Sequence, residues 1–257
     1  MVLFNFKGKQ NSISDALQLD IPEHAVISMV GAGGKTSLIF ALAEELADSE
    51  KKVIVTTTTH MLHPEFAGDI YKGSALIFYP NYAADESDFT GDYSKIDELL
   101  DKSGILLIAS EDETNEKKIT SPPTAILEYA YKKADAVLIE ADGSRQMPLK
   151  WPKPHEPVVP ECTDISICVA GMTSYGHLAR DVIYGVEHMD ERLLRSDVDE
   201  SMIAAIVSSP DGGLKGTHGD YRIFLNQADD KELQEKAEYI QKLLAVRGMQ
   251  SAWGSLK

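Results

Sequence analysis

The sequence has little cysteine: two residues, Cys162 and Cys168, with five residues between them. They form no disulfide framework and match no usual zinc-ligand spacing. Cys168 lies in the apolar run DISICVAG, so it is expected in the core, and a reducing compartment is the simplest setting for both thiols. Long hydrophobic runs are missing too. No stretch reaches the ~18 apolar residues of a membrane span. The N-terminal MVLFNFKGKQNSISD has no long apolar segment after its basic residues, so it does not read as a secretory leader. These absences predict a soluble, cytoplasmic protein with no membrane partner. Positive charge is scarce: 25 Lys and Arg face 41 Asp and Glu, a net charge of -16. Such a surface repels polyphosphate backbones and excludes bulk nucleic-acid binding. A single nucleotide is not excluded, because a local nest of backbone N–H groups outweighs a distant field. No internal repeat is visible.

What the chain does have is alternation. Apolar, β-branched runs at Ala25–Val30, Val53–Thr57, Ala75–Tyr79, Ile105–Ala109, Ala136–Glu140, Ile165–Ala170 and Arg222–Leu225 read as strands, with a last candidate at Ser251–Leu256. They lack polar residues at alternate positions, which suits a sheet covered on both faces. Helical patterns fall between them at Thr36–Asp48, Pro123–Lys133, Asp199–Ser208 and Lys231–Arg247. Strand–helix alternation predicts an α/β protein: a mainly parallel, P-loop NTPase-like sheet flanked by helices. The 257 residues suit one domain spanning 1–257, and a subdivision would fall near residue 172. Two stretches break the rhythm. Tyr82–Lys102 is acidic and reads as a loop or surface excursion. Met147–Pro160, with five prolines, reads as a stiff extended segment crossing the surface.

The strongest motif lies in AVISMVGAGGKTSLIFALAEEL, where a strand runs into Gly31-Ala32-Gly33-Gly34-Lys35-Thr36-Ser37 and an amphipathic helix follows. The glycines let the backbone turn sharply and aim its N–H groups inward, and the helix start adds partial positive charge. Lys35 is placed to reach β- and γ-phosphates, and the Thr36 hydroxyl to ligate Mg²⁺. The usual phosphate-loop pattern has a glycine where Met29 stands. The shorter G-x-G-G-K-T loop looks like the compact one of Mur-ligase-type ATPases.

Other segments bring candidate partners. ADAVLIEADGS ends a strand with Glu140, Asp142 and Gly143, carboxylates suited to Mg²⁺ at a strand's carboxyl edge. Glu140-Ala-Asp-Gly143 resembles the D-x-x-G switch of GTPases; the same residues also suit a plain turn. In KKVIVTTTTHM, Thr58 is a further hydroxyl for the metal or γ-phosphate, while His60 and His63 sit three apart in a loop-like composition that argues little for a metal. Asn226-Gln227-Ala228-Asp229 resembles the N-K-x-D guanine reader, with Gln for Lys, yet Asp229 or Asp230 equally suits a helix N-cap. Arg145, Lys150, Lys153, His155 and Glu156 form a basic cluster on the stiff segment that, with Lys215, is a candidate for holding an anionic second substrate, against a purely structural strap and a solvated loop lysine.

Together G-A-G-G-K-T, T-T-T-H-M, E-A-D-G-S-R, P-x-H-E-P-V-V-P and N-Q-A-D, in this order, resemble the YqeC family, described as accessory to selenium-dependent molybdenum hydroxylases. The resemblance runs from about Val26 to the C-terminus. It implies a P-loop protein using ATP or GTP with Mg²⁺ in maturation of a selenium- or molybdenum-containing cofactor, with an unknown small molecule or cofactor as substrate and a hydroxylase apoenzyme as partner. Three activities fit: an NTP hydrolase or phosphoryl transferase with Lys35, Glu140 and Asp142 as catalytic groups; a nucleotide-gated cofactor or metal carrier; and a Mur-ligase-like ATP-dependent activating enzyme.

Overall fold

The computed structural model describes residues 1–79 and 93–257. Its strands are β1 (Val2–Asn5), β2 (Gly8–Gln10), β3 (Ala25–Gly31), β4 (Val53–Thr57), β5 (His60–Leu62), β6 (Ala75–Tyr79), β7 (Ile105–Glu111), β8 (Lys118–Thr120), β9 (Ala136–Glu140), β10 (Leu149–Lys150), β11 (Ile165–Gly171), β12 (Ile183–Tyr184), β13 (Asp220–Asn226) and β14 (Ser251–Ser255). The helices are α1 (Ile13–Leu17), α2 (Lys35–Asp48), α3 (Ser94–Ser103), α4 (Thr124–Lys133), α5 (Ala179–Val182), α6 (Glu200–Val207) and α7 (Lys231–Val246).

One large sheet runs β2-β1-β14-β13-β11-β3-β9-β4-β7-β8-β5, with β6 also on β7. From β14 through β7 every pairing is parallel, and the antiparallel pairs lie at the two ends. The short strands β10 and β12 pair apart from it. Successive side chains of a strand point to opposite faces, so this sheet carries two cores. On one face Leu38, Ile39, Leu42 and Leu46 of α2 pack on Ile27, Met29, Val55, Leu138 and Ile167. On the other, α3, α4, α6 and α7 bring Leu100, Ile126, Ile203 and Ile240 onto Val26, Val30, Ile54, Val137 and Ile139. Each such side chain contributes about 1.5–3 kcal/mol on burial. The molecule is thus an α/β protein with a mainly parallel, P-loop NTPase-like sheet between helical layers.

Two expectations need correcting. The stretch from Tyr82 was expected to be a loop or excursion through Lys102; up to residue 92 it lies outside the described residues, but its remainder is the helix α3, which buries Ile96 and Leu100. Two buried apolar side chains in a charged ten-residue segment suffice when a sheet face is there to receive them. The N-terminus, which contributed nothing to the motif reading, supplies β1, β2 and α1. There β1 covers the β14 edge, and Phe4 stacks on Trp253 at 4.4 Å between centroids.

Candidate functional site

Register brings the strand ends together. Gly31 of β3 lies opposite Val169 of β11, Glu140 of β9 opposite both Met29 and Thr57, and Asn226 of β13 opposite Gly171. In open α/β sheets this carboxyl edge is where ligands bind. The loop after β3 crosses it and opens α2.

The start of α2 differs from those of α1, α6 and α7. Side chains of Ser12, Asp199 and Asp230 cap α1, α6 and α7, whereas α2 has Gly34 at its N-cap, at φ 111°, and no side-chain cap. Among the described residues no protein acceptor receives the N–H of Gly33, Gly34, Lys35, Thr36 or Ser37. Five consecutive free donors at a partly buried helix start are suited to an anion. The first two loop amides are not part of this cradle. Gly31 N–H donates to Asp142 Oδ2 (3.1 Å) and Ala32 N–H to Val169 O (2.8 Å). The sequence-based span for phosphate contact therefore narrows from 31–37 to 33–37. Asn226 fixes the loop from β13: its Nδ2 donates to Gly33 O at 2.8 Å.

Lys35 is buried, 3% exposed, and folds back over the loop. Its Nζ donates to Gly31 O at 2.7 Å and lies 3.1 Å from Asp142 Oδ1 and 4.0 Å from Glu140 Oε1. Burial lowers the affinity of this amine for its proton, but Asp142 and Glu140 outweigh burial and hold the ammonium above its ordinary range. Glu140 goes the other way. Burial raises its carboxyl, and Lys35 and the Thr36 hydroxyl only partly offset that rise. The Thr36 hydroxyl donates to Glu140 Oε2 at 2.7 Å.

The two carboxylates take different places. Glu140 lines a cleft of about 270 Å³ together with Gly33–Ser37; Asp142 does not. Asp142 sits behind the loop, its oxygens facing Gly31 N–H, Lys35 and Lys150. Of the two carboxylates between which the sequence left metal ligation open, Glu140 and not Asp142 has the geometry for it. A hydroxyl beside a carboxylate is an oxygen donor set suited to Mg²⁺. Among the described residues no group of three His, Cys, Asp or Glu could hold a metal.

Other sequence candidates lie elsewhere. Thr58 donates its hydroxyl to Val158 O at 2.6 Å, and so is used to pin the proline-rich strap instead of a metal. Glu156 is held at 2.9 Å by Lys150, so its carboxylate serves an internal pair instead of a substrate. His155 is exposed on the strap. Lys215 donates to Lys153 O, a structural clasp. Asp229, expected to read guanine, accepts from Ser255 Oγ at 2.7 Å and pairs with Lys257, while Asp230 caps α7. His60 and His63 part company: His60 lines the cleft and lies 3.4 Å from Asp112, and His63 stacks on Phe78. Arg145 does line the cleft.

The motif reading missed Lys118 on the cleft wall; Gln227 of the N-Q-A-D run also lines the cleft, and Lys150 of the basic cluster lies behind it. Lys118 lies on β8, a three-residue strand with no motif around it.

The model of the family described as YqeC protein matches residues 27–187, more than half of the chain. The chain belongs to the YqeC family. It is 37% identical over 153 residues to the "Uncharacterized protein YqeC" of Escherichia coli (strain K12), a match covering 59% of this chain and 53% of that protein. The chain thus spans about half the length of the curated relative it matches. The segment matching the YqeC model contains the phosphate-type loop, Glu140, Asp142 and the strap; Asn226 and Asp229 fall beyond it.

Proposed function

We propose that this YqeC-family protein is a Mg²⁺-dependent nucleoside triphosphatase or phosphoryl transferase. The observation that carries the reading is the run of five unpartnered amides, Gly33 to Ser37, beside the Thr36–Glu140 pair. In this reading the amides hold phosphate oxygens, and Lys35 offsets the charge that develops on them. Thr36 and Glu140 would hold Mg²⁺, which supplies charge neutralisation on the transferred phosphoryl group. On the facing wall, Lys118 and Arg145 have no carboxylate within ion-pair distance among the described residues. In a chain with net charge -16 that supports an anionic acceptor as second substrate. Selenium- or molybdenum-hydroxylase maturation is the setting the family resemblance suggests, with a hydroxylase apoenzyme as partner.

The base is not expected to be guanine, since Asp229 is occupied by Ser255 and Lys257. Competition of ATP, GTP and CTP against a fluorescent nucleotide should find ATP at least as effective as GTP. A clear preference for GTP would show that Asp229 leaves its partners to read the base. Phosphate release by the purified protein, with and without small acidic acceptors, separates turnover from nucleotide-gated cofactor delivery.

Glu140 gives a sharper test. A carboxyl whose folded pKa is raised favours the folded state most below its ordinary value, 4.5, and that contribution is lost as pH rises through the folded pKa. Above the folded pKa the ionised group weakens the ligand-free fold. Glu140→Gln is expected to flatten the pH dependence of Tm in the ligand-free protein. The same variant should lose the Mg²⁺-dependent part of nucleotide binding. Retention of the full Mg²⁺ effect would move the metal away from Glu140.

A further inference from the structure

From the cleft to the space behind the phosphate-type loop, five charged side chains follow one another in alternating sign: Glu140, Lys35, Asp142, Lys150 and Glu156. Lys150 is 3% exposed and does not line the cleft. Its Nζ lies 3.1 Å from Asp142 Oδ2 and 2.9 Å from Glu156 Oε2, and donates to Gly143 O at 2.6 Å. Asp142 is thus shared between two buried ammonium groups, Lys35 in front and Lys150 behind.

The sharing has a consequence for any ligand in the cleft. For Lys35 to turn toward a phosphate it must loosen its 3.1 Å contact with Asp142. A buried carboxylate left with no cation is penalised by several kcal/mol. With Lys150 in place the carboxylate keeps a partner, and Lys35 is free to move. Without Lys150, Lys35 is the sole compensation for Asp142 and stays bound to it. The carboxylate cannot simply turn to water, because Asp142 is 1% exposed and also accepts from Gly31 N–H.

We infer that Lys150 is a positioning residue for nucleotide binding: it supplies the standing counter-charge on Asp142 that releases Lys35 to the phosphates. Its bonds to Glu156 and Gly143 make the proline-rich strap the support for that counter-charge. This rests on the nucleotide reading above and adds to it a residue that never touches the ligand.

The test is a double-mutant cycle read by titration of N-methylanthraniloyl ATP and GTP with Mg²⁺, with Tm measured for every variant. Lys150→Met is expected to lower affinity about tenfold, within the usual range for coupled sites. Lys150→Arg, which keeps the charge, should recover most of that loss. The decisive comparison is Lys150→Met/Asp142→Asn against Asp142→Asn alone. With no carboxylate to compensate, the two should bind within about threefold of each other. If Lys150 only braces the strap, Lys150→Met costs the same factor in either background, and that result overturns the inference. Should the single Lys150→Met variant fail to fold, the comparison made on Asp142→Asn still decides. A wild type that binds neither nucleotide removes the nucleotide reading and this inference with it. A wild type that binds, with equal losses in both backgrounds, removes the inference alone.

Discussion

Lys35→Ala is expected to weaken nucleotide binding by roughly 10- to 150-fold, the loss of one charge-assisted contact of about 1.5–3 kcal/mol. The same substitution strips Asp142 of one of its two cations and takes from Glu140 the ammonium 4.0 Å away. Because Lys150 still compensates Asp142, the cost should stay below the about 3–5 kcal/mol of a buried charge left without a partner, and Tm should fall by less than roughly 10 °C. The two effects separate in Lys35→Met/Asp142→Asn. There both charges are gone, the side-chain amide that replaces the carboxylate can still accept from Gly31 N–H, and much of the lost stability should return. Affinity should not return, because the cation that meets the phosphates is still missing. Titration with fluorescent nucleotide and thermal denaturation report the two quantities independently. A folded Lys35→Ala protein with wild-type affinity would dismiss the proposed site.

Gly33→Ala is expected to be the most damaging small substitution in the loop. Gly33 has φ 83°, a left-handed conformation that costs an L-residue about 1–2 kcal/mol. A methyl group there would overlap the backbone of Gly171 and lie 2.7 Å from Pro148 O. Both neighbours are backbone, one at the end of β11 and one on the strap, so neither yields by a side-chain rotation. Overpacking adds about 1–3 kcal/mol. A total near 3 kcal/mol lowers Tm by roughly 6–12 °C. Nucleotide binding should be lost as well, since a loop displaced from Gly171 no longer aims its free amides at one anion. Gly143 is the contrast: nothing lies within 4 Å of a Cβ built there. Gly143→Ala should change stability by no more than about 0.5 kcal/mol. Equal tolerance of alanine at both positions would contradict the packing of the loop against β11.

Much of the architecture was legible because it is local. The runs Val53–Thr57, Ala75–Tyr79 and Ala136–Glu140 form strands with the boundaries their composition marks. Buried parallel strands have no polar alternation to blur them. Segments with less apolar content were harder. The helix α3 hides two buried residues among charges, and β5 and β8 are three residues each. Such pieces are stable only against a surface that the rest of the fold provides.

The site divides along the same line. A strand, three glycines, a lysine and an amphipathic helix are contiguous, so the sequence by itself determined that backbone amides gather before α2. The tertiary structure decided which side chains meet them. Glu140 and Asp142 stand two residues apart and look interchangeable in sequence, yet one faces the cleft and the other backs the loop. Asn226 grips Gly33 across 193 residues of chain. Lys150 joins Asp142 to Glu156 because the strap folds back under β9, where Val158 N–H donates to Ala141 O. Backbone conformation follows from neighbouring residues. Charge pairing follows from strand register and crossover, which no local pattern encodes.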